Sequence, residues 1–217
     1  MGAKEDIEGA LLDVRKAYRL LHLYQQRVCG LCTEIVETLN QELTKPVEFY
    51  HWTASLYGNP PQRGTNLIAG QWSWDFLPLY DFCVFFRPEG QDHQDHNPGD
   101  WMFVIRSVAD SAGESHFGDS KVEPDPREFA SAGESSTLVK LYAYVCLKSS
   151  RANWFHTVYG GHSWPEDAEP GEFDEVGIRV LPTTVALSEL ADKASVQGHV
   201  DEYLGDLKKA FPEKTEW

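Results

Sequence analysis

Apolar side chains recur along the first 44 residues with gaps that alternate between four and three: Ile7, Leu11, Val14, Tyr18, Leu21, Gln25, Val28, Cys32, Ile35 and Leu39. Only Gln25 breaks the seam. Ala10, Ala17, Tyr24 and Leu31 widen it into a stripe, while Lys4, Glu8, Arg15, Arg19 and Glu34 fall elsewhere. This spacing predicts an amphipathic helix from Ala3 to Thr44, straight or hinged at Gly30. At about 1.5 Å per residue, roughly 40 residues span about 60 Å. A compact chain of this size has a radius of gyration of about 17 Å, and a sheet of ordinary strands is only about 20 Å deep. One small sheet cannot cover the whole stripe. Either the chain folds back near Gly30, or the surplus seam of Ile7, Leu11, Val14, Tyr18 and Leu21 is buried against another chain, most simply a second copy.

After Lys45-Pro46 the period changes. Val47 to Leu56 reads as a strand. Trp72, Trp74, Phe76, Tyr80, Phe82, Val84 and Phe86 occupy even positions, with Gln71, Ser73, Asp75, Asp81 and Arg87 among their odd neighbours, which is the two-residue alternation of a half-buried strand. Pro78 divides that stretch. Trp101 to Ala109 is apolar on both faces, as expected of a central strand. Thr137 to Lys148 directs Val139, Leu141, Ala143, Val145 and Leu147 to one side, and Phe155 to Tyr159 and Val176 to Leu181 are short strands, the latter ending before Pro182. Asp110 to Ser136 reads as a long, mobile loop holding Ser-Ala-Gly-Glu-Ser twice, too short an echo to define a repeat. Helix resumes at Leu187 to Ala194, with Ser188 as its cap, and again from about Val196 to Phe211, before Pro212.

Helix, then strands, then helices, without regular alternation, predicts a single α+β domain over residues 1–217. The expected architecture is an antiparallel sheet of about five or six strands from residues 46–182, with the long N-terminal helix (1–44) and C-terminal helices (187–212) packed on it.

Composition narrows the function classes. The chain has 217 residues, 41% hydrophobic and 12% aromatic, enough for a real core. No apolar run approaches the roughly 18 residues of a bilayer span, the N-terminus lacks a signal-peptide layout, and four cysteines without a regular framework suit a reducing compartment. A cytoplasmic, soluble protein is expected. The net charge is −15, from 19 basic and 34 acidic residues. The charge is uneven: residues 1–50 hold six basic and eight acidic side chains, residues 89–135 three and eleven, and Glu166 to Glu175 six acids and no base. Without a Lys/Arg cluster, direct nucleic-acid binding is not expected. The acidic stretches, with Glu166, Asp167, Glu169 and Glu172 the densest, favour a basic protein partner, although solubility alone also accounts for acidic loops.

The most concentrated candidate chemistry is Asp92-His93-Gln94-Asp95-His96: two imidazoles and two carboxylates that suit a divalent metal. His116, His156 or His162 would complete such a site if the fold converged them. A solvated loop between Gly90 and Gly99 accounts for the same residues. Cys29-Gly-Leu-Cys32 is a C-x-x-C in mid-helix, where no helix N-terminus lowers a thiol pKa, and Cys32 lies on the apolar seam. Tyr159-Gly-Gly-His162-Ser163-Trp164 has the composition of an active-site loop but no acid partner beside it. Nucleophile-elbow, phosphate-loop, dinucleotide and zinc-protease motifs are missing. Two readings follow: a non-catalytic interaction or regulatory protein without a cofactor, engaging another protein through its helix and acidic loops, or a small metal-dependent hydrolase built on His93 and His96.

Overall fold

In the computed structural model, which describes residues 3–54, 81–91, 96–114, 129–149 and 177–214, the α+β arrangement is realised. Helix α1 (Ala3–Glu42) leads into strand β1 (Val47–Ala54), followed by β2 (Asp81–Pro88), β3 (Trp101–Val108), the one-turn helix α2 (Ser111–Glu114), β4 (Leu138–Cys146) and β5 (Ile178–Ala186). A 3-10 turn (Leu187–Glu189) and helix α3 (Lys193–Ala210) complete the order. The five strands lie in sequence order and every neighbouring pair is antiparallel. Among the described residues each strand therefore pairs with the next, and no crossover helix is needed.

The alternation read from the sequence orients the sheet. Val84 and Phe86 of β2, Trp101, Phe103 and Ile105 of β3, and Val139, Leu141, Ala143 and Val145 of β4 form one core with Val28 to Leu43 and with α3. The odd positions of β2 depart from the expected polar face. Cys83 and Phe85 join Met102, Val104, Tyr142, Tyr144, Cys146, Ile178 and Val180 in a second buried cluster on the other face. Both sides of the sheet are thus covered, as β3 alone had suggested.

Side-chain amides set the joins. Asn40 of α1 accepts from the Val47 amide at 2.8 Å and donates to the Val47 carbonyl at 3.2 Å, so it acts as a strand partner where β1 begins. Gln91 treats Trp101 in the same way, accepting at 3.2 Å and donating at 3.1 Å. Opposite ends of the long loop are joined too: the Ser111 amide donates to the Ser136 carbonyl at 2.9 Å. The two Ser-Ala-Gly-Glu-Ser copies each make a single turn, residues 111–114 as α2 and 131–134 as a turn closed by Glu134 on the Ser131 carbonyl.

Two boundaries differ from the sequence reading. Strand β5 does not stop at Leu181 but runs through Pro182 to Ala186. It is one of the two edge strands of the five described, where a missing N–H need not interrupt a ladder. The helix expected over Leu187 to Ala194 with Ser188 as its cap is only the 3-10 turn, whose N-cap is Ala186. Helix α3 starts at Lys193, before the expected Val196, because Asp192 caps it: its carboxylate accepts from the Ser195 amide at 2.9 Å. At Gly30, where the sequence left α1 either straight or hinged, it does not fold back. It passes through Gly30 as one helix of 40 residues, and a Cβ at Gly30 would meet nothing within 4 Å, so the glycine serves no close approach.

Candidate functional site

The continuous helix α1 divides into two environments. From Val28 onward, Leu31, Cys32, Ile35 and Leu39 are buried against the sheet and α3. The Arg27 guanidinium donates to the Leu190 carbonyl, and the Tyr24 hydroxyl lies 3.4 Å from the Ser107 hydroxyl on β3. Burial raises the pKa of Tyr24, and the Ser107 bond only partly opposes this. Toward the N-terminus the support ends. Leu21 is half-buried, and every side chain from Ile7 to Leu20 is exposed.

Those exposed residues are the surplus seam. Leu11 is 45% exposed and Tyr18 69%, with Ile7 and Val14 between them. A second line was missed in the sequence. Leu12, Leu20 and Leu23 are also exposed and, at 100° per residue, lie on the opposite side of the helix among Lys16 and Arg19. The signal for it was the same spacing rule, applied to the residues outside the stripe. A helix apolar on two sides is ordinarily buried. Local ion pairing here is slight: Lys16 and Asp13 meet at 2.9 Å on the exposed surface, a kind of contact worth little in water.

A second polar feature sits inside the protein. Arg106 of β3 donates from Nε to Asp81 Oδ1 at 2.9 Å and from Nη2 to Oδ2 at 2.8 Å, both residues buried. Burial opposes the guanidinium charge, but the Asp81 hydrogen bond and charge outweigh it and raise the Arg106 pKa. Lys140, the β4 partner of Arg106 in the ladder, is buried beside this pair. Further along the same face Tyr142 and Tyr144 stack with centroids 6.0 Å apart. The sequence signal for the pair was a single arginine inside the apolar run of residues 101–108.

The other expected site residues divide as follows. Asp92, His93 and Asp95 lie outside the described residues, as do His116, His156, His162 and the acidic residues Glu166, Asp167, Glu169 and Glu172. His96 is buried. Asp100 closes a turn, its carboxylate accepting from the Asn97 amide at 2.7 Å. Among the described residues no three His, Cys, Asp or Glu side chains converge as metal ligands. Cys29 is exposed and Cys32 buried, and burial pushes the Cys32 thiol up to about 12, with Cys29 adding to the shift. A thiol raised in this way is not a poised redox nucleophile.

Comparison with known proteins places the whole arrangement in one family. A family model described as PM0109 matches residues 4–212. The chain belongs to the PM0109 family. It is 29% identical over 225 aligned positions to the uncharacterized protein PM0109 of Pasteurella multocida (strain Pm70), covering 96% of this chain and 98% of that protein. No solved structure matches. The family match begins at residue 4, so the projecting turns of α1 fall inside it. No helix among the described residues is long and apolar enough to cross a membrane.

Proposed function

We propose that this chain is a non-catalytic protein-interaction module whose docking element is the projecting N-terminal half of α1. One observation supports the reading above all. Fourteen consecutive helical residues, 7–20, are exposed, and one side of them carries Ile7, Leu11, Val14 and Tyr18. Scattered exposed hydrophobics are ordinary, but a contiguous apolar surface rimmed by charge marks an interaction site. An isolated helix of about this length is marginal in water, which further favours an occupied surface. The domain behind it supplies a rigid base: the second half of α1 is locked into the core. The chain's net charge of −15 disfavours phosphate-bearing partners and leaves proteins as the natural class.

A photo-crosslinking amino acid placed at Leu11 in the full-length protein, and compared with one at Lys16, tests this in cells and in purified protein. The expected result is an adduct of higher mass at Leu11 and much less at Lys16. No adduct from Leu11, Val14 or Tyr18 in either setting overturns the reading.

A further inference from the structure

We infer that the occupant of this surface is a second copy of the same chain, whose projecting helix runs antiparallel to the first, with the two-fold axis between Leu12 and Asp13. The inference rests on the docking role proposed for α1 and names its partner.

The seven-residue repeat fixes what each position meets. Ile7, Leu11, Val14, Tyr18 and Leu21 occupy the two core positions of a helix pair, Glu8 and Arg15 one flanking line, and Ala10 and Ala17 the other. With the axis between Leu12 and Asp13, Leu11 packs on Val14 of the second copy and Ile7 on Tyr18 of the second copy, each contact occurring twice. Glu8 then flanks Arg15 of the second copy, also twice, which gives two ion pairs of opposite sign. On the other side Ala10 lies near Ala17 of the second copy, so the helices can approach closely there.

Other alignments lose this match. Sliding by one repeat in one direction puts Arg15 against Arg15 of the second copy. Sliding the other way puts Glu8 against Glu8. A parallel pair sets Ala10 beside Arg15 and Ala17 beside His22, with no opposite charges at the flanks. Charges at these flanking positions set partner choice and orientation in helix pairs, and only the first alignment satisfies them.

Long-range charge favours the same geometry. The chain carries −15 in all, yet residues 7–21 hold two acidic and three basic side chains, so two projecting helices do not repel each other. An antiparallel overlap places the acidic domains at opposite ends, about 25 Å apart at 1.5 Å per residue. That exceeds the Debye length of about 8 Å at physiological salt. The apolar contacts of the pair fall at residues 7–18, within the exposed stretch 7–20 of α1.

Sedimentation equilibrium of the purified full-length protein, at tens of micromolar and physiological salt, tests the inference with three variants. Unaltered protein is expected to be dimeric. Glu8→Arg and Arg15→Glu each set like charges opposite one another and should weaken the dimer about tenfold or more. The double variant E8R/R15E restores opposite charges across the antiparallel pair and should return the affinity close to its starting value. Both positions are exposed on α1, so far-UV circular dichroism is expected to show an intact fold in all three. A monomer in the unaltered protein overturns self-pairing, as does a dimer whose affinity ignores both single reversals or is not recovered in the double variant. If the Leu11 crosslink forms in cells to a different protein while purified protein is monomeric, the docking role stands and the second-copy inference falls.

Discussion

Arg106 of β3 and Asp81 of β2 face each other through two parallel hydrogen bonds of 2.9 and 2.8 Å, buried at one end of the sheet face that α1 and α3 do not cover. The fork matches the carboxylate in plane and direction, and each charge depends on the other for its place in the interior. Removing one partner leaves the other buried without this fork. Asp81→Asn or Arg106→Met should each destabilise the fold by about 3–5 kcal/mol, while the double replacement Arg106→Met with Asp81→Leu should recover much of that loss. Urea unfolding of the single and double variants measures both quantities. Equal losses in the single and double variants would show that the pair is not coupled.

Gly30 gives a prediction of opposite sign. It lies inside α1 with open space where a Cβ would stand. Gly30→Ala should therefore stabilise the protein by about 0.8–1 kcal/mol, through helix propensity alone. For a chain of this size that is a rise of about 2–4 °C in Tm. A fall in Tm would mean that the glycine is needed for a bend.

Asp192 links stability to pH. The Ser195 amide, and then the Ser195 hydroxyl, hold its carboxyl below the usual range. A depressed carboxylate stabilises the fold above its unfolded pKa of about 3.9, and that contribution is lost as pH falls through the lower folded value. Asp192→Ala should lower Tm near neutral pH, and the gap to the unaltered protein should narrow in acid. Asp192→Asn keeps a good cap without a charge, so its own cap contribution should not titrate. A gap for Asp192→Ala that is constant from neutral pH to pH 2 would contradict this account.

Thiol accessibility separates the two cysteines of the C-x-x-C. Cys29 faces solvent, and Cys32 is buried with its thiol pushed up to about 12. Iodoacetamide at mildly alkaline pH should alkylate Cys29 in the folded protein and reach Cys32, Cys83 and Cys146 only on unfolding. Mass spectrometry of the digested protein reads the order directly. Equal rates at Cys29 and Cys32 would refute the burial argument.

Leu11 and Leu39 occupy the same position of the seven-residue repeat, four repeats apart, yet Leu39 is 2% exposed and Leu11 45%. Periodicity determined that both lie on one helical stripe, because 3.6 residues per turn bring such spacings to one side. It also determined the inward positions of Val84, Phe86, Val139, Leu141, Ala143 and Val145, because side chains on a strand alternate in direction. The antiparallel order followed from the absence of crossover helices. Local pattern could not say where the stripe leaves its cover, since that depends on how far the sheet and α3 extend along α1. Nor could it reveal that Cys83 and Phe85 are buried, or that Arg106 finds Asp81 from a neighbouring strand. Those outcomes rest on contacts between residues distant in sequence, and burial is a property of what else occupies the space. Spacing alone requires a helical stripe longer than one domain needs. Packing of the sheet and α3 against it makes its second half core and leaves its first half clear.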